Sequence, residues 1–307
     1  MIYIRVTKIG GQAVIEGVMM RGKDMYALAV RNIHGEIIVE EEPLDKKFST
    51  GLWKLPLVRG FMAFVNSFIL GVKLLDRSMV LSGLDEIEEE PSKIEKFLID
   101  KLGDKLNSFL TGISFVFAMV ISLVLFVFAP IMLTKLFAPI IGTTSFAISL
   151  SEGVLRMIIF ILYLYVISKN NDIQRTFMYH GAEHKTIACF EAEEDLTVEN
   201  VKKHTRFHNR CGTSFLFLVM FISIIFFMFI KTDDVTMRII SRIVFIPLLA
   251  GISYEVLQYT GSHDNLFVKI SSYPGVLLQK LTTSEPDNEQ IEVAIASMKK
   301  VLEYQEC

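Results

Sequence analysis

The sequence predicts an α-helical polytopic membrane protein with about four transmembrane helices and a small N-terminal β-rich cytoplasmic domain. Three observations predict this class. Apolar residues make up 51% of the 307 residues, the mean hydropathy is +0.44, and long apolar runs follow a strand-like N-terminal part. The net charge of −3 gives no basic field for nucleic acid. No glycine motif for a nucleotide is present, so neither nucleic acid nor nucleotide is expected as a partner.

Four apolar runs are the predicted transmembrane helices, since a span needs about 20 mostly apolar residues. They cover residues 109–133, 153–168, 214–230 and 239–257, and the second is short for a bilayer. Pro130 precedes residues 131–150 and Pro139 lies within them, and this range is expected to form an outer loop or a partly embedded segment. Lys and Arg concentrate in the 169–213 loop. That bias places this loop in the cytoplasm and, with four spans, both termini as well.

The predicted division of the chain follows these runs. Strands at 26–32 and 36–42 flank a hairpin turn at His34-Gly35. The last segment carries an amphipathic helix with Asp287 as a candidate cap. The predicted segments are a β-rich cytoplasmic domain (1–50), an amphipathic or interfacial helix (51–84), an acidic linker and helix (85–108), the transmembrane domain with its His-rich loop (109–257), and a cytoplasmic tail (258–307).

The 169–213 loop holds two histidine-rich segments, YHGAEHK and KKHTRFHNRCG. Four of the six histidines fall within 29 residues, and each pair is spaced i, i+4. On a helix this spacing puts both imidazoles on one face, within reach of one metal ion. The first segment fits HxxEH, in which two histidines hold zinc and the glutamate is a general base. We therefore predict His180 and His184 as metal ligands and Glu183 as the catalytic base.

The third ligand is left open by the sequence, because a catalytic zinc site needs three protein ligands and an open position. Thr197 is expected to cap a helix that carries His204 and His208 on one face. Glu255 lies in an apolar run, where an ionisable group indicates function. The alternative is a snorkelling carboxylate or a salt bridge to Arg59 or Arg210. The candidates for this position are His204, His208, Cys211, Glu255 and His263.

The alternative for the histidines is a structural role at the membrane interface, and it is favoured for His34 and His263. The predicted metal set is therefore His180, His184, His204, His208, Cys211 and Glu255, and the predicted cofactor is a divalent metal, with zinc favoured.

A further motif, GGQAVIEGVMMRG, lies near the N-terminus. Its glycines permit close approach of the backbone, and Glu16 and Arg21 are possible functional charges. Together with YHGAEHK, FHNRCGTSF, SYE and LTTSEPD, in this order, it resembles the YqhQ-like family of bacterial membrane proteins. That family is a domain of unknown function described as predicted metal-dependent enzymes. The resemblance implies a multi-pass protein of the bacterial inner membrane, and it implies an enzyme through the His, Glu and Cys residues above.

Two functions are expected from these patterns. The first is a metal-dependent, hydrolase-like site at the cytoplasmic face that acts on a membrane-associated substrate. The alternative is a non-enzymatic factor in membrane-protein assembly or quality control. It would bind translocon or protease partners through the β-rich domain and the two amphipathic helices.

Overall fold

The computed structural model describes residues 9–44, 53, 55–84, 106–141, 144–208, 211–230, 234–263 and 266–306. The acidic linker predicted from residue 85 lies outside these residues up to position 105. The strands are β1 (Gly10–Val14), β2 (Gly17–Arg21), β3 (Met25–Arg31) and β4 (Ile37–Pro43). The α-helices are α1 (Val58–Ser82), α2 (Leu106–Leu123), α3 (Ala129–Ile141), α4 (Ser145–Ile167), α5 (Asn171–Glu191), α6 (Val198–Lys203), α7 (Gly212–Met228), α8 (Val235–Val244), α9 (Ile246–Ser262), α10 (Leu266–Thr282) and α11 (Asn288–Glu306).

The chain divides into two compact units. The first comprises Met1–Leu84, Tyr163–Ile222 and Ile246–Cys307, and the second comprises Asp85–Leu162 and Ser223–Phe245. The strands therefore share a unit with helices that lie more than 100 residues away in the chain, rather than forming a unit of their own.

The four strands form one antiparallel sheet in the order β1-β2-β3-β4, which confirms the predicted N-terminal sheet. The β3–β4 hairpin pairs Met25 with Pro43 and Arg31 with Ile37. Its turn contains Gly35 at φ 84°, a left-handed conformation that glycine adopts without strain. The hairpin expected at His34-Gly35 is thus confirmed.

Helices cover both faces of the sheet. Because side chains alternate along a strand, Met20 and Ala27 pack with α5 and α11 on one face. Met19 and Leu28 pack with Leu74 of α1 on the other. The apolar stripe predicted for the C-terminal helix is buried in the first of these cores; its fully or nearly fully buried members are Ile291, Ala294, Ile295, Met298 and Val301.

Helix α1 has the length and composition of a membrane span, yet its C-terminal half packs on the sheet. Leu74 is buried, Lys73 forms an ion pair with Glu42, and Arg77 forms one with Glu40. The half before Lys73 is about 15 residues, or roughly 22 Å of helix, which is shorter than the hydrocarbon core of a bilayer. Whether this segment is the predicted amphipathic or interfacial helix therefore stays a prediction.

Among the residues that the structure describes, three helices are long and apolar enough to cross a membrane, namely Val58–Ser82, Gly112–Ile140 and Ser145–Ile167. The bent pair Val235–Val244 and Ile246–Thr260 makes a fourth if it counts as one span. Gly212–Met228 is a shorter apolar helix. The outer loop expected across 131–150 is wrong, since α3 continues to Ile141 and α4 begins at Ser145. The alternative, a partly embedded segment, stays a prediction. The second apolar run is consequently a helix of 23 residues rather than a short one.

The helix continues past Pro130 because a side chain of the second unit donates the hydrogen bond that proline cannot donate. Proline lacks the N–H that would bond the carbonyl four residues earlier, at Phe126. A π-helical turn occupies Val124–Phe128, and Arg156 Nε donates to Phe126 O at 2.7 Å. This arginine on α4 replaces the backbone bond that Pro130 cannot make.

The second unit also contains a buried ionic network. Glu152 on α4 is 0% exposed and accepts from Arg238 Nη1 at 2.9 Å and Arg242 Nη2 at 2.6 Å. Both arginines lie on α8, and Arg242 stacks over the Phe227 ring at 3.7 Å. Pairing offsets the cost of burying these charges in apolar helices.

The helix expected to carry both His204 and His208 is shorter than predicted. Thr197 does cap it, accepting from Asn200 N at 3.3 Å. The helix ends at Lys203, and His204 has an extended backbone with φ −82° and ψ 159°. The two imidazoles therefore do not share a helical face, and that expectation is wrong.

Candidate metal site

Three of the predicted ligands converge in the first unit. His180 and His184 lie one turn apart on α5, and their ring centroids are 4.4 Å apart. Cys211 precedes α7, and its Sγ lies 3.3 Å from His180 Nε2. One donor atom from each of the three lies within 4.8 Å of the others. The i, i+4 spacing accounts for the two histidines, whereas the thiol comes from outside α5, at the residue directly before α7.

Both rings are oriented by backbone carbonyls. His180 Nδ1 lies 2.8 Å from Thr282 O, and His184 Nδ1 lies 2.6 Å from Arg206 O. A carbonyl only accepts, so each Nδ1 carries the proton and each Nε2 is left with its lone pair. Metal-binding histidines are commonly held this way. Burial lowers the pKa of His184, which favours its neutral form.

The thiol of Cys211 has a supporting contact of its own. Thr213 Oγ1 donates to Cys211 Sγ at 3.2 Å, and the cysteine is only 6% exposed.

Glu183 is buried beside the three donors. Its Oε2 has no hydrogen-bond partner among the described residues, and burial raises the pKa of this carboxyl. Gly11 of β1 packs directly on it: a Cβ built on Gly11 would lie 2.7 Å from the Glu183 carboxylate. A buried acceptor without a partner is costly, and such groups concentrate at functional sites.

These groups line a cavity of about 670 Å³. Its wall is formed by β1, the end of β2, α1, α5 and the start of α7. The polar groups His180, Glu183, His184, His208 and Cys211 meet apolar residues that include Met19, Leu70, Phe177, Ile187 and Leu216. Small-molecule and substrate sites have this size and this mixture of surfaces.

His208 lies on the cavity wall but outside the group of three. Its ring centroid is 5.6 Å from that of His184, and its Nε2 lies 3.6 Å from Glu191 Oε2. Gln279 fixes its backbone, accepting from His208 N at 2.8 Å and donating to His208 O at 2.6 Å.

The other predicted ligands lie elsewhere. His204 groups with Cys189 and Glu194, and its Nε2 is 3.4 Å from Glu194 Oε2. Glu255 pairs with Arg59 at 2.5 Å, which was the alternative expected from the sequence. His263 is exposed, and its Nδ1 lies 3.0 Å from Tyr259 O.

The LTTSEPD segment (residues 281–287) positions this site, a role that sequence reasoning missed. Thr282 O holds His180, Arg206 Nη1 donates to Thr283 O at 2.6 Å, and Ser284 N donates to Phe177 O at 2.8 Å. Gly181 lets this segment approach, because a side chain there would overlap Ser284 O. One signal in the sequence could have identified this role: LTTSEPD is one of the motifs that carry the resemblance to the family.

The N-terminal glycine motif is also tied to α5. Glu16, at φ 51° in the turn between β1 and β2, pairs with Arg175 and accepts from Tyr179 Oη at 3.2 Å. That pairing raises the pKa of Arg175 and keeps it charged. Glu16 therefore fastens β1 and β2 to the helix that carries His180 and His184.

The donor set suits a borderline-soft divalent metal. Two imidazole nitrogens and one thiol sulfur are ligands that zinc takes in proteins. The neighbouring Glu183 oxygen without a described partner is consistent with a site whose charge is balanced by a cation.

Comparisons with known proteins agree with the motifs. The family profile described as "Protein of unknown function (DUF1385)" matches residues 55–304. The protein of Bacillus subtilis (strain 168) described as "Uncharacterized protein YqhQ" is 37% identical over 296 residues, covering 95% of this chain and 92% of that protein. No solved structure matches. The resemblance seen in the sequence is thus confirmed, and the chain belongs to the DUF1385 family, which includes YqhQ-like proteins.

Proposed function

We propose that this protein is a membrane-bound, metal-dependent hydrolase in which His180, His184 and Cys211 hold one zinc ion. The observation that carries the proposal is the convergence of their three donor atoms within 4.8 Å. Its main support is that both Nδ1 atoms are turned toward backbone carbonyls, leaving both Nε2 atoms for a metal.

Glu183 is proposed as the acid–base residue of this site. It lies next to His184 in the chain, its Oε2 has no partner among the described residues, and it faces the cavity. When bound, zinc supplies a Lewis acid that polarises a scissile carbonyl and makes water a nucleophile near neutral pH. The chain contributes a carboxylate oxygen that takes up a proton and passes it on.

His208 is proposed to contact substrate or complete the ligand shell. It shares the cavity with the three donors, and Gln279 holds its backbone in place. Glu191 lies close enough to orient the imidazole.

The site is proposed to face the cytoplasm of a bacterial cell, at the inner membrane. Its support is the concentration of Lys and Arg in the 169–213 loop, which contains α5 and α6. The apolar helices are compatible with contact to a bilayer. The assembly-factor alternative draws no support from α11, because the apolar stripe that would bind a partner is buried in the core.

Metal analysis of the purified full chain and matched variants tests this proposal. We expect about one zinc per chain in the wild type and its loss in His180→Ala, His184→Ala and Cys211→Ser. Glu183→Gln should keep the metal and lose hydrolytic activity, because this residue is not a ligand. His204→Ala and Glu255→Gln serve as controls and should keep both. A wild type without metal would refute the proposal, as would equal zinc content in the three ligand variants.

A further inference from the structure

We propose that the substrate is an extended polypeptide segment that adds to the free edge of β1. This inference rests on the proposed hydrolytic function and names the substrate class of the same site. β1 is an outer strand of the sheet and pairs only with β2 among the described strands. Its other edge makes no backbone–backbone hydrogen bond to any residue that the structure describes. We call this side of Gly10–Val14 the free edge.

The cavity runs along the free edge rather than along one face of the sheet. Gly11 packs on Glu183 of α5 on one face. The next residue, Gln12, packs against α1 on the other face. The Nε2 atom of Gln12 would lie 2.9 Å from a Cβ built on Gly71 of α1. Both residues line the same cavity. A cavity that reaches both faces at consecutive strand residues must pass the edge between them.

The register identifies which backbone groups point into the cavity. The turn between β1 and β2 has two residues, so Val14 and Gly17 beside it form a hydrogen-bonded pair. Antiparallel pairs alternate between bonded and non-bonded positions. Gly11 and Ala13 are therefore the non-bonded positions, and their N–H and C=O groups point away from β2. Both residues line the cavity.

Hydrogen bonding decides between a peptide and a lipid chain as the occupant. Backbone N–H and C=O groups removed from water require partners. An acyl chain offers none, whereas an extended peptide offers a matching row, as in recognition by strand addition. The apolar lining residues Met19, Leu70 and Leu216 would then accept alternate side chains of that peptide.

The same geometry places the peptide at the proposed reacting groups. The Gly11 backbone that would pair with the peptide is the one against which the Glu183 carboxylate packs. His180, His184 and Cys211 line the same cavity. A peptide bond held at Gly11 would thus lie beside Glu183. Hydrolysis of that bond adds one water across C–N and yields a carboxylate and an amine, with no oxidant or reductant.

The experiment measures binding of peptides that differ only in backbone hydrogen bonding. The probe is a fluorescein-labelled nine-residue peptide of alternating valine and threonine with terminal lysines, added to Glu183→Gln protein in lipid nanodiscs. Two further peptides carry N-methyl groups on either the odd or the even residues. A strand shows its two sets of N–H groups to opposite sides. We therefore expect one N-methylated peptide to bind about tenfold weaker or worse and the other to bind like the parent.

Two adjacent tryptophan substitutions on α1 test the place of binding. Leu70 lines the cavity, whereas Ile69 is 61% exposed and is absent from the lining. Leu70→Trp should reduce peptide binding by about tenfold or more, and Ile69→Trp should leave it unchanged. Zinc content and thermal unfolding of the same samples verify that both variants are folded.

The outcomes separate this inference from the proposed function. Equal binding of both N-methylated peptides, displacement of the peptide by phospholipid alone, or no binding of the parent peptide would overturn peptide addition at the free edge. Zinc content is measured independently. If the peptide binds at the free edge and the protein contains no metal, the proposed metal-dependent hydrolysis is refuted. The same result would still support the peptide-binding site at the free edge.

Discussion

Two neighbouring glycines of β1 differ in what surrounds them. A Cβ on Gly11 would lie 2.7 Å from the buried Glu183 carboxylate, whereas a Cβ on Gly10 would have no atom of a described residue within 4 Å. Close packing on Glu183 thus favours glycine at position 11, and no such contact with the described residues favours it at position 10.

Gly11→Ala should therefore destabilise the protein by about 1–3 kcal/mol, because the added methyl overpacks a buried contact. Gly10→Ala, one residue away on the same strand, should change the free energy of unfolding by less than about 0.5 kcal/mol. Denaturant unfolding of both variants in detergent measures the difference. Equal stability of the two variants would mean that Glu183 does not pack on β1.

Cys189 is a residue whose chemistry follows from its burial. It is 0% exposed, and burial, followed by the nearby charge of Glu194, raises its pKa to about 11. The reactive thiolate is therefore scarce at neutral pH.

We expect maleimide to label Cys189 at pH 7.5 at least about 100-fold more slowly in the native protein than in the unfolded protein. The native rate should rise with pH until the pH approaches 11. Mass spectrometry of the Cys189 peptide over a pH series measures this. Fast native labelling at pH 7.5 would contradict the described burial.

Among the elements, the helix pair around Pro130 shows a bond that no sequence pattern reveals. Arg156 Nε donates to the carbonyl that Pro130 leaves without its helical donor. Two prolines and the polar or small residues at 142–145 are why the sequence indicated an outer loop or a partly embedded segment after Pro130. The donor comes from a side chain 30 positions away, and local patterns cannot identify it.

Arg156→Met should consequently cost about 1–3 kcal/mol, because the Phe126 carbonyl loses its donor in an apolar unit. In the Pro130→Ala background the restored N–H can bond that carbonyl, so the cost of Arg156→Met should shrink. A double-mutant cycle on unfolding free energies measures the coupling. Pro139→Ala is the matched control, and its effect on the unfolding free energy should add to that of Arg156→Met. If the effects of Pro130→Ala and Arg156→Met also add, the hydrogen bond from Arg156 does not replace the one that Pro130 lacks.

The elements of the candidate site were predictable to different degrees. The HxxEH spacing identified α5 and its inward residues, since i, i+4 neighbours share a helical face. The same spacing in HTRFH failed because the helix ends at Lys203. Beyond the helix, His204 lies close to Glu194 and His208 lines the cavity. Spacing predicts proximity only where the helix is long enough to include both residues.

At the scale of the whole molecule, motifs that are far apart in the chain meet around one cavity. Gly11, His184 and Cys211 come from three segments, and the LTTSEPD segment anchors His180 from a fourth. The sheet, its hairpin and the C-terminal helix followed from local alternation and periodicity. The contacts of Thr213, Gln279 and Thr282 did not, because they depend on tertiary packing between segments that no local pattern relates.

The most direct test of the central claim is zinc K-edge X-ray absorption on the purified full chain. We predict about one zinc per chain with one sulfur and at least two imidazole nitrogens as neighbours, and loss of the sulfur signal in Cys211→Ser. A protein without zinc, or a bound zinc without a sulfur neighbour, would contradict the site formed by His180, His184 and Cys211.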